Sequence, residues 1–306
     1  MSGTGRHTGE VHEHDLGLAH DLRVMSRRRA LSFLGFAGLA TAAAGCAAAT
    51  NSGDSTGGNS AASTTTTSAA GAGTVAAAPQ ETAGPYPGDG SNGPNVLIES
   101  GIVRSDITGS FGSYSGVAQG VPMTLTLSLR DLTRDGAAGS GMAVYVWHAD
   151  RDGRYSLYSG GVTDQNYLRG VQVADADGKL TYTSIFPACY DGRWPHIHFE
   201  VFDSLETAVA GGNARLTSQI ALPEDVCERV YAYDSGYAQS TTNMSKVSLA
   251  SDNVFGDGWD AELATVTGSP ATGLTTAITV GVAAKSDSVA AGPPGGGPGG
   301  PPPGGR

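Results

Sequence analysis

Met123-Thr124-Leu125-Thr126-Leu127-Ser128-Leu129-Arg130 alternates apolar and polar side chains without a break. Successive side chains of an extended strand point to opposite faces, so this stretch reads as a strand with one face on a core and the other in water. The same period returns outward from it. Val144-Tyr145-Val146-Trp147, Lys179 to Ile185, His196 to Phe202 and Thr217 to Ala221 read as further strands, and Ala261 to Val266 and Leu274 to Val282 as β-rich segments. One stretch, Pro223 to Ala232, reads as a helix, with proline in its first turn followed by Glu224 and Asp225. Short strands separated by Gly/Asp turns, with a single helix, predict an all-β fold of the β-sandwich kind.

Composition sets the limits of that sandwich. Residues 1–46 read as an export signal, in which Ser26-Arg27-Arg28-Arg29 precedes an apolar run from Leu31 to Ala44 and then Gly45-Cys46. The run is short and rich in alanine and glycine, which fits a signal better than a membrane span. The adjacent arginines point to a twin-arginine route, and Ala43-Ala44-Gly45-Cys46 resembles a lipobox whose cysteine carries lipid; simple cleavage and a buried cysteine are the alternatives. Residues 47–79 are mostly Ala, Ser, Thr and Gly, too poor in large apolar groups to offset chain entropy, and read as a disordered linker. Residues 286–306 read as a disordered Pro/Gly tail without a triplet repeat. The folded domain is expected over residues 80–285.

A net charge of −11 and a pI of about 4.9 argue against a nucleic-acid footprint, which needs clustered Lys and Arg. With Cys46 assigned to the membrane, Cys189 and Cys227 remain, either as a disulfide in an oxidising compartment or as two buried thiols.

The chemistry concentrates in Arg193-Trp194-Pro195-His196-Ile197-His198-Phe199. On a strand, His196 and His198 share one face, which makes half of a metal site. Four of the seven histidines lie in the N-terminal stretch, which leaves His148, His196 and His198 for the folded part. Zinc sites on a His-x-His strand usually need a third histidine or a carboxylate, and no histidine follows position 198. Tyrosines complete the set better, because a phenolate is a hard anionic oxygen donor suited to Fe(III). Tyr155 and Tyr190 are the candidates. His148, which follows the strand tryptophan, reads as structural. Asp150-Arg151-Asp152-Gly153 and Asp175-Ala176-Asp177-Gly178 lack the frame of a calcium loop and read as turns, the first aiming Tyr155.

These residues resemble the intradiol ring-cleavage dioxygenases, the non-haem Fe(III) family of protocatechuate and catechol dioxygenases. The resemblance runs in order through Thr82-Ala83-Gly84-Pro85-Tyr86, Val146-Trp147-His148-Ala149-Asp150, Gly153-Arg154-Tyr155-Ser156, Leu168-Arg169-Gly170, Asp177-Gly178, Pro187-Ala188-Cys189-Tyr190, the segment from Arg193 to Phe199, and Leu216-Thr217-Ser218-Gln219-Ile220. It implies Fe(III) held by Tyr155, Tyr190, His196 and His198, with Tyr190 as the phenolate that leaves when substrate arrives. Arg193 is implied as the cation over the substrate ring, and Gln219 as a neighbour of the iron. The implied reaction takes a catechol and O2 and splits the ring between the two hydroxyl carbons to a muconate-type diacid.

Two departures accompany it. Signal and linker stand where the catechol enzymes have a helical dimerisation region, and the Tyr190 to His196 connection is short, nearer the protocatechuate type. The expected protein is an exported dioxygenase, tethered through Cys46 to the outer face of the cytoplasmic membrane. The contrasting reading is a cell-surface β-sandwich binding module that keeps the fold without turnover.

Overall fold

The computed structural model describes residues 75–285. Nine strands form two sheets: β1 (Pro122–Asp131), β2 (Ala137–Ala138), β3 (Ala143–Trp147), β4 (Arg169–Val173), β5 (Lys179–Ile185), β6 (His196–Phe202), β7 (Leu216–Ala221), β8 (Thr265–Ser269) and β9 (Gly273–Val282). In the first sheet β1 is central. It pairs in parallel with β9, which carries β8, while β5 and β2 pair antiparallel along β1. The second sheet is antiparallel, in the order β4-β3-β6-β7.

The alternation at Met123 to Arg130 is realised as written. Met123, Leu125, Leu127 and Leu129 are buried, and they meet Val144, Val146, Ile197, Phe199, Val201, Leu216 and Ile220 of the second sheet in one apolar core. Burying such side chains is worth about 1.5–3 kcal/mol each, which makes the inner faces the main source of cohesion.

The outer face of the second sheet is covered as well. Tyr86, Val96 and Leu97, from the segment before β1, and Tyr155 and Tyr190, from loops between strands, pack there on Tyr145, Trp147 and Phe202. Strand β6 is therefore buried along its whole length, and its two faces divide the labour: Ile197, Phe199 and Val201 hold the sandwich together, while His196 and His198 face the loops.

Some elements differ from expectation. The expected helix is α2 (Glu224–Tyr233), with Pro223 as its extended N-cap rather than in its first turn. Two short helices went unanticipated, α1 (Leu205–Val209), capped by Ser204, and α3 (Ala238–Met244), whose polar sequence carries no helical stripe. The expected strand Ala261 to Val266 begins only at Thr265, because Glu262 and Leu263 close a turn by donating their amides to the Trp259 carbonyl. Strand β4 was not foreseen; Arg169 and Gly170 interrupt its apolar pattern. Both Asp turns are as expected: Asp150 Oδ1 accepts the amides of Asp152 and Arg154, and Asp175 Oδ1 those of Asp177 and Lys179. Cys189 and Cys227 are buried free thiols, and burial raises Cys189 to about 12. The signal, Cys46, most of the linker and the tail lie outside the described residues.

Candidate metal centre

Strand register builds the site. Arg169, Trp147, His198 and Gln219 are successive cross-strand partners from β4 through β3 and β6 to β7, so they form one row on the loop-covered face. His196, two residues earlier on β6, stands beside that row.

The loops bring the tyrosines to it. Asp150 organises the turn before Tyr155, its Oδ2 accepting from the Tyr167 hydroxyl at 3.0 Å and from Arg154 Nη2 at 3.1 Å. Ser159 Oγ then accepts the Tyr155 amide at 2.9 Å. At Gly153, φ is +83°, and a Cβ would come within 3.3 Å of Tyr190 Cβ, so glycine lets the two tyrosine loops approach. Gly84 does the same on the other side, with φ at +69° and its missing Cβ 3.2 Å from His198 Cε1.

Four side chains converge as a result. From His196 Nε2, His198 Nε2 lies 3.1 Å away, Tyr190 Oη 3.4 Å and Tyr155 Oη 3.5 Å. Ligand bonds of about 2.0–2.2 Å set neighbouring donors roughly 3.0–3.5 Å apart around a metal, so the separations and the donor set fit an ion of hard-to-borderline character. The histidines are in the state such an ion needs. Burial first, and Arg193 second, lower His196 to about 3; burial and His196 hold His198 well below the usual imidazole range. His196 Nδ1 faces the Trp194 carbonyl at 2.5 Å, and a carbonyl only accepts, so Nδ1 carries the proton and Nε2 offers its lone pair.

Arg193 is not a surface ion pair. Its guanidinium, 1% exposed, donates from Nε to Asp252 Oδ2 at 3.0 Å and from Nη2 to Gln219 Oε1 at 2.7 Å, and Nη1 reaches Tyr190 Oη at 3.5 Å. Gln219 Nε2 in turn donates to the Thr82 carbonyl at 2.9 Å. His148 stays out of the donor set, bonded to the Ala149 carbonyl and to Ser184 Oγ. Every predicted site residue is thus brought together.

Sequence reasoning missed two others. Asp252, behind Arg193, comes from a distant loop without a motif. Arg169 stands in the sequence only as part of the short segment Leu168-Arg169-Gly170, yet its fully buried guanidinium bonds Ser156 Oγ, the Tyr145 hydroxyl and the carbonyls of Tyr86, Pro87 and Ser156. It ties the Gly84 loop to the Tyr155 loop. The signal for it was an arginine next to Gly170 and Val171 at the start of β4, where the first three residues are buried.

Comparison with known proteins bears on this arrangement. Residues 105–207 match the model of a family described as Dioxygenase, a segment that contains Tyr155, Tyr190, Arg193, His196 and His198. An intradiol ring-cleavage dioxygenase from Tetranychus urticae superposes with a TM-score of 0.53 at 24% identity, over 68% of this chain and 95% of that one. This is an intradiol dioxygenase fold. Chlorocatechol 1,2-dioxygenase of Rhodococcus opacus is 39% identical over 69 residues, 22% of this chain and 26% of that protein. The namesake from Pseudomonas sp. (strain P51) is 43% identical over 61 residues, 19% of this chain and 23% of its own length. The chain thus matches only about a quarter of the length of these curated relatives.

Proposed function

We propose that this protein is an intradiol ring-cleavage dioxygenase that holds Fe(III) through Tyr155, Tyr190, His196 and His198 and uses O2 to open catechol-type aromatic diols. The observation that carries the reading is the convergence of both phenolic oxygens and His198 Nε2 within 3.5 Å of His196 Nε2. Fe(III), when bound, supplies Lewis acidity and draws electron density from a coordinated catecholate.

The chain's own groups divide the remaining work. Tyr190 is the most exposed of the four donors, at 9%, and borders a cavity of about 280 Å³ shared with Gly153, Asp191 and Lys246. Its greater exposure supports the reading that Tyr190 is the donor that gives way to substrate and takes up a proton from it. Tyr155, His196 and His198, each 1–2% exposed, hold the ion in place. Arg193, fixed beside Tyr190, presents preorganised positive charge where the ring oxygens become anionic. Names of the partial relatives point to catechols carrying ring substituents such as chlorine as substrates to try first.

The test is the purified chain supplied with ferric iron. A visible charge-transfer band at one iron per chain, and O2 uptake with catechol giving a muconate-type product, support the reading. A colourless protein that binds zinc and ignores ferric iron overturns it. We also propose export and lipid attachment at Cys46, motivated by the arginines at 27–29 and Gly45-Cys46. Cys46→Ser should release the protein from membranes or block its processing, and an unprocessed cytoplasmic chain without lipid refutes this part.

A further inference from the structure

Asp252 lies outside the matched segment of residues 105–207. Its carboxylate is nonetheless held by a dense set of hydrogen bonds behind Arg193. Oδ2 accepts from Arg193 Nε at 3.0 Å and from the Trp194 amide at 2.7 Å; Oδ1 accepts the amides of Val254 at 2.9 Å and Phe255 at 3.3 Å. Both side chains of the ion pair are buried, at 1% exposure for Arg193 and 0% for Asp252. Burial alone would raise the Asp252 carboxyl, but Arg193 and the Trp194 amide more than offset it, so it is ionised below the usual range.

Two routes lead from this carboxylate to the site. One is direct: with Nε on Asp252 and Nη2 on Gln219, the plane of the guanidinium is fixed and Nη1 is turned to Tyr190 Oη. The other passes through one residue, since Asp252 accepts the Trp194 amide while the carbonyl of that same residue accepts the hydrogen bond of His196 Nδ1–H.

We propose that Asp252 is a positioning residue of the site, aiming Arg193 at Tyr190 and, through Trp194, fixing the tautomer of His196 that leaves Nε2 free. The first half rests on the iron-site reading above; the second concerns the folded chain itself. The alternative is that Asp252 merely caps the turn at Val254 and Phe255. An asparagine there keeps one acceptor, but loses the charge and cannot accept from Arg193 and Trp194 through the same anionic oxygen.

The experiment compares Asp252→Asn with Ser248→Ala, which removes the local cap at Ser251 and touches neither Arg193 nor the donors. In full-length protein without metal, nitrogen NMR of labelled histidine should show His196 as a single Nδ1-protonated tautomer in wild type and Ser248→Ala, and as a mixture in Asp252→Asn. In the iron-loaded protein, Asp252→Asn should keep the visible band and a KM within about threefold of wild type while kcat falls about 10–100-fold, the range of outer-shell substitutions. Asp252→Asn with an unchanged His196 tautomer and unchanged kcat overturns the proposal. So does Ser248→Ala lowering kcat as far as Asp252→Asn does. Should wild type bind no iron and cleave no catechol, the dioxygenase reading fails, and the metal-free tautomer measurement still decides whether Asp252 governs His196.

Discussion

The His198 imidazole lies flat on the Trp147 indole, with ring planes 4° apart and centroids 5.0 Å apart. Its Nδ1 is buried without a hydrogen-bond partner among the described residues. Metal-binding histidines are usually oriented by a hydrogen bond at the second nitrogen; here stacking on the cross-strand partner does that work. Trp147→Leu should therefore weaken ferric iron binding about tenfold or more, while Trp147→Phe, which keeps a ring face, should lose less. Equal iron affinity in both variants, measured by competition with a chelator, would show that Trp147 does not orient His198.

Gly84 gives a second handle on the same ring. Alanine there faces a left-handed backbone at φ +69°, costing about 1–2 kcal/mol, and a Cβ 3.2 Å from His198 Cε1. Gly84→Ala should lower Tm by several degrees and shift the visible band of the iron-loaded protein. A variant with wild-type Tm and spectrum would mean that the loop moves aside freely.

Tyr190 and His198 should respond differently to removal of their donor atoms. If Tyr190 takes the substrate proton as proposed, Tyr190→Phe, which leaves three donors, should retain part of the iron while slowing substrate binding. On the proposed four-donor site, His198→Ala removes one of two imidazoles and should lose the metal. Full iron and full turnover in both variants would sink the division of roles.

Legibility followed the range over which each signal acts. Strands β1, β5 and β6 could be read because alternation is local, and Tyr155, Tyr190, Arg193, His196, His198 and Gln219 because an ordered set of short segments surrounded them. Asp252 meets Arg193 across 59 residues of sequence, and Glu262 meets Ser218 across 44, with no periodic pattern to announce either. Strand β4 was hidden because its first three residues, Arg169 to Val171, are all buried and so do not alternate, and its buried arginine looked like a surface residue. The turn at Glu262 was read as strand because Ala261 to Val266 is apolar enough, while the inward carboxylate that interrupts it is visible only in three dimensions.

Arg169 should be the least replaceable residue in the row. Arg169→Met removes donors to five acceptors, leaving the Tyr86 and Pro87 carbonyls and the Tyr145 hydroxyl without this partner inside the fold. Loss of a buried charged hub of this kind costs on the order of 3–5 kcal/mol. The expected outcome is a large drop in the denaturation midpoint with release of iron, because the Gly84 and Tyr155 loops lose their common anchor. Normal stability with only a spectral change would assign Arg169 to the chemistry instead.

Glu262 makes the stability of the protein depend on pH in a direction opposite to that of a salt-bridged carboxylate. Burial first and the charge of Glu81 second push its carboxyl from an ordinary 4.5 up to about 9, although Ser218 Oγ donates to it at 3.2 Å. Folded chains therefore keep this proton between those two values, while unfolded chains release it. The unfolded state binds fewer protons there, so this group's contribution falls as pH rises from about 4.5 towards 9, by at most about 1.4 kcal/mol per pH unit. His148, held near 4 chiefly by burial, acts the other way below neutrality, so the total curve does not isolate Glu262. The difference between wild type and Glu262→Gln does, because the amide has a similar shape and does not titrate. At pH 8 the variant should have the higher Tm, and by pH 5 the gap should have nearly closed. Parallel Tm curves across that range would show that Glu262 is ionised in the folded protein and that another group neutralises it.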